Sequence, residues 1–210
     1  MVQIIQATNL TLRDLKTRSS CQEMANNQFF REWVDNLPEL TDLEKQLLDR
    51  VKANYLHLAE RPMLENTVKM VVLSPLLDLA GFYQTPFDID SEREVSVPIS
   101  AEDEGVIFKG KIDVFVLHEQ MWVLVIESKR AKFSLEPGLP QILAYMLDNH
   151  NPENPTFGMV TNGSNFRFIK LTQKGTPQYA LSDEFIIDRQ DDFYYVLRVF
   201  KHLGQLITRK

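Results

Sequence analysis

The sequence predicts an α/β fold with a central mixed sheet and helices on both sides. Three observations carry it. Residues 112–117 and 123–126 are apolar, β-branched runs on either side of a short polar break, the pattern of an antiparallel hairpin. Both runs are apolar on both faces, as expected of strands at the centre of a covered sheet. Amphipathic helical periods precede and follow them, with Leu43, Leu47, Val51 and Tyr55 in one and Phe193, Val196, Val199, Phe200 and Leu203 in another.

The N-terminal 36 residues show no clean period. Residues 10–15 can open a short helix, and residues 27–34 a second with Phe29, Phe30 and Trp33 on one side. Residues 1–61 are therefore expected to be a helical extension packed on the core, and residues 62–210 the main domain. Pro38 ends the irregular part. Thr41 and Glu44 form a capping box before a helix running to about Ala59. A further helix is expected from Met63 to Ala80, kinked or split at Pro75 and stopped by Gly81.

Residues 92–99 alternate as a half-exposed strand and residues 101–105 form an acidic turn. The central hairpin comes next. In it, Ile112, Val114 and Val116 are expected on one side and Phe115 and Leu117 on the other. A loop at residues 135–138 leads into a helix bearing Gln141 and Tyr145. Residues 156–160 form a short buried strand, and Asn162-Gly163 is a strong turn signal before a returning strand at 166–171. An amphipathic helix at 191–207 closes the chain.

The 210 residues carry a net charge of −6 and one cysteine, Cys21. A single cysteine excludes an internal disulfide and a Cys-rich zinc site. No secretory signal or membrane-length apolar run is evident, so a cytoplasmic location is expected. The four histidines lack metal-ligand spacing. Residues 105–111 fit the first seven positions of a phosphate-binding loop, but Ile112 stands where Ser or Thr must follow and the segment enters a strand, so ATP binding is not expected.

Asp113, Glu127 and Lys129 interrupt the apolar runs. Charges near a sheet core are costly unless paired or bound to a metal. Glu127 and Lys129 share a strand face. Asp113 joins them if the hairpin register pairs residues of equal parity, as a three-residue loop at 119–121 would arrange. A two-residue loop would send the carboxylates to opposite faces. Two carboxylates and an ammonium at one sheet end suit a divalent cation such as Mg2+. Glu65, at a helix start, is favoured there by the macrodipole alone and can pair with Lys69 one turn on. Gln141 and Tyr145 can be the polar edge of their helix, and Lys111 and Arg130 solvated charges.

The spacing Asp113 … Glu127-Ser128-Lys129 resembles the PD-(D/E)XK nuclease superfamily. Gln141 and Tyr145, one turn apart, look like the QxxxY motif that follows the catalytic core in the motor subunits of type I restriction enzymes. Residues 65–69 and 74–82 resemble the opening helix of those nuclease domains, and residues 160–168 their late hairpin.

The resemblance implies a restriction-endonuclease-like core and Mg2+-dependent DNA endonuclease activity, with Mn2+ as a substitute and no helicase motor in this chain. It implies Asp113, Glu127, the Ser128 carbonyl and Glu65 as metal ligands, and Lys129 as the group that positions the attacking water. Gln141, Tyr145, Lys111 and Arg130 would contact DNA or orient the site. DNA and restriction-modification subunits are the expected partners, and a homodimer is compatible with it. The rival expectation is a non-catalytic module on the same fold that binds nucleic acid or protein within a defence complex, which the acidic charge suits. A weaker third is hydrolysis of another phosphodiester.

Overall fold

The computed structural model describes residues 3–101, 104–118, 121–128, 134–149 and 152–208. Among these residues, eight strands form one mixed sheet with helices on both faces, a mixed α/β arrangement consistent with a restriction-endonuclease-like core. The strands are β1 (Gln3–Gln6), β2 (Gln22–Glu23), β3 (Phe87–Ala101), β4 (Glu104–His118), β5 (Met121–Ser128), β6 (Thr156–Thr161), β7 (Asn165–Thr172) and β8 (Gln178–Ile186). Their order is β1-β4-β5-β6-β7-β8-β2, with β3 antiparallel to β4 along its length.

One face of the sheet carries α2 (Asp42–Leu58), α3 (Glu65–Val68), a π-turn at Lys69–Leu73, α4 (Ser74–Leu79) and α6 (Asp192–Thr208). Phe82, Phe168 and Phe200 meet there edge to face, with ring centroids 5.3–6.0 Å apart. Such pairs add roughly 0.5–1.5 kcal/mol each beyond their buried area. The other face carries α1 (Leu12–Ser19) and α5 (Gly138–Leu147), and residues Gly138 to Met146 of α5 are all buried.

Several expectations change. Residues 27–36 form turns rather than a helix, although Phe30 is buried and Phe29 and Trp33 pack on the core. The segment before α2 also contributes sheet: β1 lies parallel to β4, and β2 lies parallel to β8 at the far edge. On α2 the buried stripe is Leu48, Val51 and Tyr55, whereas Leu43 is 65 % exposed and Leu47 37 %. An i, i+3, i+7 set therefore replaces the expected four-residue repeat.

The helix expected over residues 63–80 starts at Glu65, since Leu64 is extended, and runs on to Leu79 as continuous helical backbone that widens to π geometry before Pro75, which sits in the first turn of α4. Proline removes an intrahelical donor and crowds the preceding turn, and a π-turn is one way a helix absorbs that. The strand β8 was hidden in the sequence because its burial does not alternate cleanly.

The capping box of α2 forms as the sequence predicts. Thr41 N–H donates to Glu44 at 2.7 Å and Glu44 N–H donates to the Thr41 hydroxyl at 3.2 Å. Burial raises the Glu44 carboxyl, but hydrogen bonds from Lys201 and Thr41 outweigh it and hold the group below its ordinary range. A carboxyl depressed in the folded state stabilises above its unfolded pKa, and that contribution is lost as the pH falls through the folded value. Thr41→Ala is expected to cost about 1 kcal/mol. Thermal denaturation should show the melting temperature falling by about 2–4 °C.

Candidate active site

The site lies in a notch along one edge of β4. Its other edge is paired with β3. On the notch side, β1 pairs with Val106 to Lys109 and β5 pairs with Val114 to His118. Among the described residues no strand pairs with Gly110 to Asp113 on that side. The β5 strand leaves β4 after Ile126 but stays with β6 through Ser128 and Thr161, so β4 and β5 splay apart at their site ends.

The hairpin resolves the question of register in an unexpected way. His118 pairs with Met121, which leaves two residues between them, the loop length that alone would separate the carboxylates. A register shift follows: Leu117 pairs with Trp122, but Val116 pairs with Leu124. The extra residue on β5 is Val123, a bulge that moves everything beyond it by one position. Val114 then pairs with Ile126, the last pair of the ladder, so that positions 113 and 127 are the next residues on the two strands, in the register of equal parity.

Asp113 also marks a break in the pleat. Val114 and Val116 pack into the core under α2 and α6, while Ile112 and Phe115 pack into the core under α5. Ile112 and Val114 therefore face opposite cores, against the sequence expectation that they share a side. Across the strand pair, Glu92 lies between partners of Val114 and Ile112 and has φ 58°, a left-handed conformation uncommon outside glycine. A local turnover at Glu92 and Asp113 frees the aspartate from both cores.

A cleft of about 550 Å3 opens at this break, lined by Glu65, Asp113, Lys111, Gln141, Tyr145 and the N-terminal residue Thr8, among others. Five residues singled out in the sequence thus meet in one concavity. Glu65 opens α3 and borders the cleft. Lys111 donates to Glu92 at 2.7 Å, an ion pair half exposed on both sides; exposed pairs of this kind hold little energy and part easily. The Glu92 hydrogen bond raises the Lys111 pKa, and the same contact lowers that of Glu92.

Gln141 and Tyr145 are not at a polar helix edge. They are 4 % and 1 % exposed. Gln141 Nε2 donates to Tyr145 Oη at 2.9 Å, and Tyr145 Oη donates to the Lys111 carbonyl at 3.3 Å. That carbonyl lies in the stretch of β4 without a strand neighbour, so the tyrosine takes the place of a missing ladder bond. At that burial the two side chains present little surface to a ligand. Lys129 and Arg130 lie outside the described residues, as do the side chains of Glu127 and Ser128.

Two participants were not read from the sequence. Lys69, expected as a partner for Glu65, instead donates to Asp113 Oδ1 at 2.6 Å across 44 positions of chain. Gly110 sits directly against the Tyr145 ring: a Cβ there would overlap the hydroxyl and approach Ala7 Cβ to 2.7 Å. A glycine inside a strand often signals such close approach, whereas nothing local announces the lysine.

The family model of the type I restriction enzyme R protein N terminus matches residues 93–176. The R protein match therefore spans most of β3, all of β4 to β7 and α5, and includes Asp113, Glu127, Lys129, Gln141 and Tyr145. It leaves out Glu65, Lys69 and the N-terminal wall of the cleft. No curated protein matches the chain significantly.

Among the described residues no three His, Cys, Asp or Glu side chains converge as a metal cage. Asp113 nevertheless accepts a cation, since the Lys69 ammonium lies against it at 2.6 Å. A complete ligand set would add Glu127 and the Ser128 carbonyl. No helix among the described residues is long and apolar enough to cross a membrane.

Proposed function

We propose that this chain is a Mg2+-dependent DNA endonuclease of the type I restriction R-protein kind, without a helicase motor in these residues. The observation that supports the reading is the bulged register, which ends on Val114 opposite Ile126 and so makes Asp113 and position 127 the next residues on the two strands where they splay apart. The family match over this same segment supports it.

Asp113, Glu127 and the Ser128 carbonyl would hold the ion, with Glu65 reaching it directly or through a water. When bound, the metal supplies Lewis acidity and lowers the pKa of a coordinated water. Lys129 would orient the attacking water and neutralise charge on the phosphate. Tyr145, held by Gln141, keeps the unpaired stretch of β4 in place, and Lys109 and Lys111 at the cleft provide cationic surface for the DNA backbone.

The test is cleavage of supercoiled plasmid with Mg2+ or Mn2+ by wild type, Asp113→Ala and Lys129→Ala. Metal-dependent nicking by wild type alone is expected. Equal activity in all three proteins, or none in any, overturns the catalytic reading. DNA binding without cutting would favour the non-catalytic module that the net charge of −6 suits.

A further inference from the structure

We propose that Lys69 is a resident cation of the site, seated on Asp113 in the metal-free protein and displaced when a divalent ion binds. The inference rests on the reading of Asp113 as a metal ligand given above. It adds that loading the metal is an exchange of one cation for another.

The geometry has three parts. The Lys69 Nζ to Asp113 Oδ1 distance is 2.6 Å, and the two side chains are only 18 % and 16 % exposed. A close, largely buried contact of this kind is a specific partnership rather than a passing surface pair. A divalent ion on the same carboxylate would bring two positive charges into contact range, so the ammonium must leave or the ion is excluded.

The second part is the backbone under Lys69. It opens the π-turn of Lys69–Leu73, where the Ser74 N–H donates back to the Lys69 carbonyl. Single π-turns are uncommon and often occur at functional positions. The next residue, Met70, is 74 % exposed, so the outer side of this turn is not clamped by packing.

The third part is a place to go. A second cleft of about 500 Å3 is lined by Lys69, Ser91, Glu92, Asp113 and Tyr83, among others. Glu92 already feels Lys69: its carboxyl is lowered first by the Lys111 hydrogen bond and also by the charge of Lys69. A displaced ammonium therefore has room and an acidic neighbour within the same cleft. Lys69 and Glu92 both lie outside the segment that matches the R protein N terminus.

The experiment is calorimetric titration of Mn2+ into wild type, Lys69→Met, Lys69→Arg and Asp113→Asn, without DNA, with circular dichroism to verify folding. Lys69→Met should bind Mn2+ roughly tenfold tighter, since the competing charge is gone. Lys69→Arg should stay near wild type, and Asp113→Asn should lose the site. Equal or weaker binding by Lys69→Met, with binding still lost in Asp113→Asn, overturns the exchange and leaves the metal reading intact. No Asp113-dependent binding in any protein overturns both. Lysine-selective NMR of wild type gives a readout that needs no variant. The Lys69 ammonium resonance should be protected without metal and lose protection in saturating Mg2+; unchanged protection in an Mg2+-loaded sample overturns the proposal.

Discussion

Asp113→Asn should lower the plasmid-cleavage rate by about 1000-fold in a protein that still folds cooperatively. Loss of Lewis-acid assistance removes several kcal/mol of transition-state stabilisation, which converts to that factor. Asparagine keeps the size of the side chain and removes its charge. The pair that the exchange breaks is only 16–18 % exposed, so some stability is lost with it. The Lys69 ammonium left behind is still 18 % exposed and borders a cleft through which water can reach it. Single-turnover kinetics and thermal denaturation on the same sample decide the matter. A large drop in melting temperature with cleavage intact would make Asp113 a structural ion-pair partner and no more.

Gly110→Ala should act the other way round, damaging structure and site together. The new methyl would collide with the Tyr145 hydroxyl and come within 2.7 Å of Ala7 Cβ and 3.1 Å of Tyr145 Cε1. Neither neighbour is free to yield: Tyr145 belongs to a helix buried from Gly138 to Met146, and Ala7 is buried in the turn that follows β1. Overpacking of this kind costs about 1–3 kcal/mol. Thermal denaturation should show a drop of about 2–4 °C for each kcal/mol in a chain of this size. Tyr145→Phe in the same protein should restore part of the loss, because it removes the atom nearest the new methyl. Independent, additive effects of the two substitutions would mean that Gly110 and Tyr145 do not press on each other.

The sequence reveals those parts of this molecule whose causes are local. The capping box at Thr41 and Glu44, the turn at Asn162-Gly163 and the apolar runs of the central hairpin each depend on neighbours a few residues away. The site is harder to read because it depends on two irregularities. Val123 adds a residue to one strand of the hairpin, and Glu92 turns the pleat over beside Asp113. Periodicity alone treats both strands as regular and puts Ile112 with Val114. The Lys69 contact crosses 44 residues, and β1 joins the sheet from about a hundred residues away. No pattern within a short window encodes such pairings. Tyr145 shows the remaining difficulty. Its helical spacing from Gln141 is plain, but its burial follows from the strand gap it fills.

That gap has a consequence for what can approach the sheet. Open margins invite another chain to line up alongside, backbone to backbone. Among the described residues, β1 and β5 occupy the flanking stretches of this edge, and Tyr145 hydrogen-bonds the backbone of the four residues between them, Gly110 to Asp113. Four residues of strand extend about 13 Å, too short for a visiting peptide to establish a register. The fold thus keeps this margin of β4 too short for the edge-to-edge association that an open strand promotes.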